Sequence, residues 1–352
     1  METAEIGVSG LGRIGKQILW QTESVSPLPK PEVNIQVETA VSKRDISDYL
    51  RFLQADSRYP GQKLLSEVDV DTETGYLIIN GREIAYEKVD LKIPNQTLRW
   101  DEKGAQIVVE ASGQLKTQEA NQRHLDLGAE LVIVTCPSKD DTPTFVFGVN
   151  HENFSPDMKV ISNSSCTTNC VAPVLKILND NWGIESVIIN SVHAYTGSQN
   201  LLDGPSDKDP RRGVSAISGG IIPTTTGADK ATILVLPEFE SIPIAAQAVR
   251  VPTDRASLAI ITANLKGQVT EEELVDALEV ASQGLLKGVI CVDYQYPTAA
   301  SISGSTVPGI VDANDTRVRG KLVNIPIFYD NESGYTANLL RLVDYVSRRL
   351  NQ

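Results

Sequence analysis

The sequence predicts an α/β protein of two domains, a doubly wound parallel sheet followed by an α+β domain with a largely antiparallel sheet. In the first half, short apolar runs alternate with helical patterns, which is the βαβ order of a parallel sheet. Beyond residue 166 the apolar runs become longer and the helices fall later. With 352 residues, the chain is long enough to bury the cores of two such domains.

Hydrophobic periodicity and chain breakers locate the elements of the first domain. We predict a strand at 6–8, a helix from about Arg13, strands at 33–41, 106–109 and 131–134, and a helix at 118–127. Alternation broken by Thr-Gly and Asn-Gly predicts a hairpin over 69–82. Three prolines within 25–31 exclude a continuing helix and predict a surface loop.

The second domain is predicted to contain longer strands and two late helices. The strands fall at 186–192, 245–251 and 257–265, and the helices at 271–283 and about 334–350. The last helix has a single apolar face, which is the pattern of a helix buried along one side; that face consists of Leu339, Leu342, Val343, Val346 and Leu350.

The composition excludes several classes of function. A formal net charge of −13 argues against binding nucleic acid over the whole surface. The first residues lack the basic and apolar regions of a signal peptide, and no apolar run approaches the length of a membrane span. The four cysteines show neither the spacing of a disulfide framework nor that of a zinc site, so we expect no metal and a reducing cytoplasm.

Gly10, Gly12 and Gly15 form a GxGxxG motif between the first predicted strand and the first helix. Glycines at these positions permit a tight turn and let a pyrophosphate approach backbone N–H groups at the helix start. The motif alone is weak evidence, but its place at the first βα junction favours a Rossmann-type dinucleotide-binding domain.

Cys166 is the candidate nucleophile. It lies between an apolar run at 158–161 and an amphipathic pattern at 171–178, where Pro173 could bend the helix. This places the thiol in the first turn of a helix, where unpaired N–H groups and the helix dipole favour the thiolate. The alternative is a buried structural cysteine, against which the hydroxyl-rich segment 162–170 argues.

That segment, SNSSCTTNC, resembles the active-site segment of phosphorylating glyceraldehyde-3-phosphate dehydrogenases, usually SNASCTTNC. The resemblance runs along nearly the whole chain. Eight further blocks follow in the family's order: GLGRIG at 10–15, PSKDDTP at 137–143, GVNH at 148–151, VHAYT at 192–196, DGPS at 203–206, IPTTTG at 222–227, RVPT at 250–253 and YDNE at 329–332. The resemblance implies a dinucleotide-binding domain of residues 1–165 and 334–352 and a catalytic domain of residues 166–333.

The implied reaction runs through Cys166 and His193. Cys166 would attack an aldehyde, and His193 would act as general base and as the imidazolium partner of the thiolate. Inorganic phosphate would then convert the resulting thioester to an acyl phosphate. The substrate phosphate maps onto Thr196 and Arg250, and the attacking phosphate onto Ser165, Thr167, Thr226 and Gly227. By itself, a lone histidine is more often structural than catalytic. The run of threonines at 224–226, taken alone, favours a β-rich loop.

The resemblance also implies a nicotinamide cofactor, bound by Gly10, Gly12, Arg13, Ile14, Gly15, Thr135 and Asn331. An NAD enzyme keeps an acid after the second strand to hold the ribose 2′-hydroxyl. Here the family's usual Asn-Asp pair aligns with Val41-Ser42, and Lys43-Arg44 follow. A serine beside two cations fits a 2′-phosphate, so we expect NADP to be preferred over NAD. The alternatives are a solvated basic turn, or Glu38 as the acid, although Glu38 should lie within the strand.

Some residues depart from the family pattern. Ser333 stands where an aromatic residue is usual, and Val214 replaces an arginine in the loop 208–220, which reaches a neighbouring subunit in the homotetramer that the family implies. An erythrose-4-phosphate dehydrogenase has an overlapping motif set, and a catalytically weak regulatory homologue is a third interpretation.

Overall fold

The computed structural model of the chain describes residues 3–23, 33–54, 56–59, 67–90, 93, 98–206 and 209–352. The loop predicted at 25–31 lies outside the described residues. The chain divides into two compact units, of which the first comprises the residues up to Phe145, His151–Ser164 and Leu339–Gln352, and the second comprises Val146–Asn150 and Ser165–Asn338. No helix among the described residues is both long and apolar enough to cross a membrane.

The first unit is built on an eight-stranded sheet in the order β3-β4-β5-β2-β1-β6-β7-β8. Its strands are β1 (Ala4–Ser9), β2 (Ile35–Ser42), β3 (Val68–Asp71), β4 (Tyr76–Ile79), β5 (Arg82–Lys88), β6 (Ile107–Glu110), β7 (Leu131–Val134) and β8 (Val160–Ser162). The pairs from β5 through β2, β1, β6 and β7 to β8 are parallel. Every residue of β6 and β7 is buried, which is why these strands read as continuous apolar runs.

Three helices of this unit are α1 (Arg13–Glu23), α2 (Ser47–Gln54) and α3 (Gln118–Asp126). The predicted parallel sheet is confirmed, although several elements differ from their predicted bounds by one or two residues. The second strand begins at Ile35 and continues to Ser42, one residue beyond its predicted end. The hairpin predicted over 69–82 exists as β3 and β4, and β5 extends it as a further antiparallel strand before pairing with β2.

The second unit carries an eight-stranded sheet in the order β10-β11-β9-β12-β16-β14-β13, with β15 beside β16. Its strands are β9 (Ile184–Ala194), β10 (Ile222–Thr224), β11 (Ile244–Val251), β12 (Ser257–Leu265), β13 (Ile290–Asp293), β14 (Gly309–Asp312), β15 (Arg317–Arg319) and β16 (Leu322–Tyr329). The pairs β11–β9 and β13–β14 are parallel and the others antiparallel, which confirms the largely antiparallel sheet.

Helices α4 (Cys166–Trp182), α5 (Ala228–Val235) and α6 (Glu271–Gln283) belong to this unit. Pro173 lies inside α4, and the helix continues past it. The apolar side of α4 packs on β12 and β16 in a core that includes Val171, Leu175 and Leu178. This packing fixes the position at which α4 begins.

The last helix, α7 (Ser333–Leu350), begins in the second unit and continues into the first. Its start is capped by the Asp330 carboxylate, whose Oδ1 accepts from the Ser333 N–H at 2.8 Å. Most of the predicted apolar face is fully buried, namely Leu339, Leu342, Val343 and Val346. Leu350, at the end of the helix, is only half-buried.

Candidate active site

Cys166 is the first residue of α4. The preceding residue, Ser165, is the N-cap, and its Oγ accepts from the Thr168 N–H at 3.1 Å. Ser164 has a φ of 59°, a left-handed conformation that is uncommon outside glycine. The chain therefore turns sharply before the helix and leaves the half-buried thiol beside the unpaired N–H groups of its first turn.

His193 lies directly opposite this thiol. It is the penultimate residue of β9, and its ring is buried. Its Nε2 is 3.5 Å from Cys166 Sγ, while Nδ1 lies 2.7 Å from the carbonyl oxygen of Ala194. The two residues predicted as nucleophile and base are thus within hydrogen-bond reach for a sulfur atom.

Arg250 lies beside His193, because β11 runs parallel to β9 in a register that pairs these two residues. Paired residues on neighbouring strands point to the same face of the sheet. The Arg250 Nη1 donates to His193 Nδ1 at 2.6 Å and to the Ala194 carbonyl oxygen at 2.7 Å. The predicted phosphate ligand therefore also touches the predicted base.

Burial dominates the protonation of the thiol. It raises the pKa of Cys166, and the positive charge of Arg250, the Thr167 side chain and the N–H groups of the first turn oppose this only in part. The N–H groups at the helix start thus favour the thiolate, as expected, but burial has the larger effect on the pKa. His193 Nε2, 3.5 Å from the thiol, is the proton acceptor within reach.

Tyr329 is a member of the site that the sequence did not single out as functional. Its hydroxyl lies 3.0 Å from Thr167 Oγ1 and 3.1 Å from Ser191 Oγ, and its ring meets the His193 ring edge-on at 5.9 Å. Burial raises its pKa, so the hydroxyl stays protonated. Its place in the YDNE block was the signal that could have identified it.

The hydroxyls predicted to bind phosphate are already engaged locally. Thr196 Oγ1 lies 2.9 Å from Ser198 Oγ, and Thr226 Oγ1 accepts from the Ala228 N–H at 3.2 Å. Gly227 precedes α5, and a Cβ added there would meet open space. Gly227 therefore offers an N–H and free volume at the start of a helix.

The guanidinium of Arg212 lies near that of Arg250. Arg212 donates to Ser198 Oγ at 2.8 Å and to the Thr225 carbonyl at 3.2 Å. Burial lowers the pKa of Arg250, and the charge of Arg212 lowers it further. Among the described residues, the buried atoms Arg250 Nε and Thr224 Oγ1 have no hydrogen-bond partner. Two neighbouring cations and unsatisfied buried polar atoms are the features of a site that accepts an anionic ligand.

A cavity of about 540 Å³ in the first unit is lined by the glycine loop. The three glycines serve different purposes. Gly10 has a φ of 98° and approaches the Ser112 backbone, whereas a Cβ at Gly15 would lie 2.2 Å from the Gly10 oxygen. At Gly12 a Cβ would meet open space, so this backbone is accessible to a ligand.

Ser42, Lys43 and Arg44 line the same cavity at the end of β2. Both cations are exposed, and the Ser42 hydroxyl contacts that of Tyr49 in α2. Tyr49 also lines the cavity and was not anticipated from the sequence.

The lining of this cavity contains carboxylates, but Glu38 does not belong to the lining. Glu38 lies within β2, and Arg82 Nη1 is 3.3 Å from its Oε1. Asp48 and Asp90 are the acidic residues of the lining.

The remaining predicted cofactor residues are not part of this lining. Arg13 forms an ion pair with Asp56, Thr135 Oγ1 donates to the Glu110 carbonyl at 3.0 Å, and Ile14 and Gly15 belong to α1. In the second unit, Asn331 Oδ1 lies 3.5 Å from Ser257 Oγ.

Beneath the glycine loop lies a buried polar network centred on Glu110. Its Oε2 accepts from Ser9 Oγ at 2.7 Å and lies 3.2 Å from His124 Nε2, and its Oε1 accepts from the Ser112 N–H at 2.8 Å. The Trp100 Nε1–H donates to His124 Nδ1 at 3.2 Å, which leaves the ring proton on Nε2, facing the carboxylate. His124 is therefore structural. No group of three or more His, Cys, Asp or Glu side chains in the described ranges is placed to hold a metal ion.

Comparison with known proteins gives consistent matches. The chain matches the NAD-binding domain of glyceraldehyde 3-phosphate dehydrogenase over residues 4–118 and the C-terminal domain over residues 165–331. Relatives named glyceraldehyde-3-phosphate dehydrogenase align with nearly the whole chain. That of Shimwellia blattae is 35% identical over 347 residues, covering 98% of this chain and 100% of the relative. Those of Geobacillus stearothermophilus and Ogataea parapolymorpha are 37% and 35% identical over 350 residues, covering 98% of this chain and 98% and 99% of the relatives. The chain belongs to the glyceraldehyde-3-phosphate dehydrogenase family.

Proposed function

We propose that the protein is a phosphorylating glyceraldehyde-3-phosphate dehydrogenase. It oxidises glyceraldehyde-3-phosphate reversibly, with inorganic phosphate, to 1,3-bisphosphoglycerate. The observation that carries this proposal is the 3.5 Å contact between Cys166 Sγ and His193 Nε2 at the start of α4. A thiol with an adjacent base is the arrangement of covalent catalysis, and the names of the relatives supply the substrate.

Cys166 Sγ attacks the aldehyde carbon, and the carbonyl electrons move to oxygen. His193 Nε2, which has taken the thiol proton, returns it to that oxygen and so forms the hydroxyl of a hemithioacetal. The same Nε2 then removes the hydroxyl proton while the hydrogen on this carbon leaves with its electron pair, and the acyl group stays on sulfur as a thioester. When bound, the nicotinamide cofactor supplies the two-electron oxidant for this step. A phosphate oxygen then attacks the thioester carbon, the carbon–sulfur bond breaks, and Cys166 is regenerated.

Arg250 and Thr196 are proposed to hold the substrate phosphate. The unsatisfied Arg250 Nε and the neighbouring Arg212 support an anion at this place. For the attacking phosphate we propose Ser165, Thr167, Thr226 and Gly227. The open volume at Gly227 supports its inclusion.

The first unit is proposed as the dinucleotide-binding domain and the second as the catalytic domain. The cavity at the carboxyl ends of β1, β2 and β6 fits a dinucleotide, because the Gly12 backbone there is uncovered. Gly10 and Gly12 would hold the pyrophosphate, and Arg13, Ile14, Gly15, Thr135 and Asn331 remain proposed contributors on the resemblance alone.

NADP is the proposed preferred cofactor. Ser42, Lys43 and Arg44 on the lining support it, as does the engagement of Glu38 by Arg82 inside the strand. Asp48 on the same lining is the charge that opposes this preference.

Two other interpretations receive less support. The relatives are named glyceraldehyde-3-phosphate dehydrogenase, which argues against an erythrose-4-phosphate dehydrogenase and against a weak regulatory homologue. The contacts among Cys166, His193 and Arg250 are a further argument against the regulatory homologue.

A cytoplasmic homotetramer is the proposed assembly. It is supported by the exposed apolar side chains of Leu201, Leu202, Ile217 and Ile221 in and beside the loop 208–220.

Initial rates test the function directly. Glyceraldehyde-3-phosphate would be supplied with and without inorganic phosphate, and with NAD or NADP separately. Phosphate-dependent reduction of the cofactor is expected. Equal rates without phosphate would contradict the phosphorylating reaction, and a preference for erythrose-4-phosphate would favour the first alternative.

A further inference from the structure

The Ser42 hydroxyl at the end of β2 is held by a tyrosine of the next helix. Tyr49, in the first turn of α2, contacts it through its own hydroxyl, and both residues line the cavity that contains the glycine loop. Tyr49 is only 6% exposed, so the surrounding residues fix the position of its ring. Its hydroxyl therefore decides what Ser42 can offer to a ligand in this cavity.

A second tyrosine fixes the backbone of the same turn. The Tyr86 hydroxyl, from β5, donates to the Arg44 carbonyl oxygen at 2.5 Å, and the Ser42 carbonyl oxygen accepts from the Val89 N–H at 2.8 Å. The rings of Tyr49 and Tyr86 pack against each other with their centroids 5.9 Å apart. The turn from Ser42 to Arg44 is thus held by β5 and by α2 before a ligand binds.

The direction of the hydrogen bond between Tyr49 and Ser42 decides which proton is left for a ligand. A phenol O–H is more acidic than an alcohol O–H, so Tyr49 is the donor and Ser42 Oγ the acceptor. Burial raises the pKa of Tyr49, which keeps this donor protonated at neutral pH. Burial also raises the pKa of Tyr86, and a hydrogen bond from Ser42 partly offsets this. The Ser42 proton can therefore turn either to the Tyr86 oxygen or into the cavity.

An anion beside Ser42 would draw this proton into the cavity, because a charged acceptor forms a hydrogen bond roughly twice as strong as a neutral one. Lys43 and Arg44 are exposed on the same lining and supply positive charge. In a doubly wound sheet, the end of the second strand is the place of the ribose that carries the 2′ group. A 2′-phosphate is the anion that the proposed cofactor brings to this place.

We propose that Tyr49 is a positioning residue for cofactor specificity, which donates to Ser42 Oγ and so directs the Ser42 O–H toward the 2′-phosphate of NADP. The inference rests on the proposed function, because it deepens the proposed preference for NADP. The 2′-hydroxyl of NAD gains less from the same proton, since that hydrogen bond joins two neutral groups. Tyr49 thus contributes to the choice of cofactor without touching the phosphate.

The other charged groups around this turn do not replace the oriented hydroxyl. Lys88 Nζ lies 2.8 Å from Asp45 Oδ1, in an ion pair whose two side chains are both exposed. The carboxylates of Asp48 and Asp90 are on the lining and disfavour an anion by their charge. Discrimination between the cofactors therefore depends on correctly directed donors as well as on the two exposed cations.

The test compares adenosine 2′,5′-bisphosphate with adenosine 5′-phosphate, which differ only in the 2′-phosphate, by calorimetry on the full chain. In the wild type, we expect the bisphosphate to bind about ten- to a hundredfold more tightly. Tyr49→Phe keeps the ring and should lower this ratio of Kd values about three- to tenfold, with little change in the Kd of adenosine 5′-phosphate. Tyr76→Phe is the control and should keep the wild-type ratio, because Tyr76 is a half-buried tyrosine of the same unit outside the lining.

Ser42→Ala distinguishes positioning from a general loosening of the cavity. In the Ser42→Ala background, Tyr49→Phe should cause no further fall in the ratio, because no hydroxyl remains to be directed. An equal fall with and without the Ser42 hydroxyl would overturn the inference, as would an unchanged ratio in Tyr49→Phe. A wild type that binds both nucleotides equally, or neither, would also overturn it. The expected binding without any oxidation of glyceraldehyde-3-phosphate would instead contradict the proposed dehydrogenase activity and leave the role of Tyr49 in place.

Discussion

Cys166 Sγ lies 3.5 Å from His193 Nε2, although 27 residues separate the two in the chain. Helix α4 carries the chain away from Cys166, and β9 returns it to the same place at His193. The contact therefore depends on the packing of α4 against the sheet of the second unit, and not on the local motif alone. Variants of either residue can test the chemistry without touching that packing.

Cys166→Ser is expected to abolish dehydrogenase turnover and to leave the fold and cofactor binding intact. A serine hydroxyl is a far weaker nucleophile at neutral pH than a thiolate. Steady-state rates and dinucleotide binding would be measured on the same preparation. Cys170→Ser is the control, because Cys170 is one turn further into α4 and fully buried. It should keep most of the activity, and near-normal activity of Cys166→Ser would refute the mechanism.

His193→Asn should lower the turnover number by about 10²–10⁴-fold, the usual contribution of a general base. Since burial raises the pKa of Cys166, the thiolate that remains reactive in this variant increases as the pH rises. Its rate should therefore climb steadily into the alkaline range, where the wild-type rate has levelled off. A loss below about tenfold would point to another base.

Arg250→Leu should weaken activity on glyceraldehyde-3-phosphate far more than on unphosphorylated glyceraldehyde. The guanidinium offers a bidentate, charge-assisted contact to a phosphate and has no such partner on the shorter substrate. The ratio of kcat/KM values for the two aldehydes, compared with the wild type, is the measurement. Equal losses on both substrates would make the role of Arg250 structural.

Much of the fold was predictable because local signals were strong. Strand β12 and helix α6 have the predicted bounds, and a capping box between Thr270 and Glu273 marks the start of that helix. The end of β2 was missed by one residue because Ser42 follows an apolar run and carries no strand signal of its own.

The sequence predicts which residues belong to the site, but it does not predict the contacts between them. The contact between Arg250 and His193 follows from the parallel register of β11 on β9, which no local pattern encodes. The same holds for Tyr329, whose hydroxyl reaches Thr167 only because β16 and α4 pack together. The pKa of Cys166 likewise depends on how strongly the surrounding structure buries the thiol, which the local sequence does not show.

Gly15→Ala and Gly12→Ala form a matched pair in the glycine loop. A Cβ at position 15 would lie 2.2 Å from the Gly10 oxygen, so we expect the free energy of unfolding to fall by about 1–3 kcal/mol. At position 12 the methyl meets open space, and stability should change by less than about 0.5 kcal/mol while the dinucleotide Kd rises. Urea unfolding measures the stability of each variant, and dinucleotide titration measures its Kd. If the two variants changed stability and Kd equally, this division of roles between Gly12 and Gly15 would be contradicted.

His124→Leu should destabilise the first unit. It removes the donor to the buried Glu110 carboxylate, a hydrogen bond to a charged group worth about 1.5–3 kcal/mol. The control is His151→Leu, since His151 is half-buried and packs edge-on against Tyr345 at 4.7 Å. Chemical unfolding of both variants is the measurement. A smaller loss for His124→Leu than for His151→Leu would show that Glu110 finds other partners.

The final prediction concerns cofactor choice at the end of β2. Ser42, Lys43 and Arg44 line the cavity where a family member that uses NAD would place an acid, and Glu38 is held by Arg82 inside the strand. Charge-assisted hydrogen bonds to a 2′-phosphate are worth about 1.5–3 kcal/mol, so a preference for NADP of about ten- to a hundredfold is expected. Ser42→Asp should reverse it by repelling the phosphate, whereas Glu38→Gln should leave the ratio of kcat/KM values for the two cofactors unchanged. If the wild type instead favours NAD and Glu38→Gln abolishes that preference, Glu38 is the ribose ligand and the three residues form only a solvated turn.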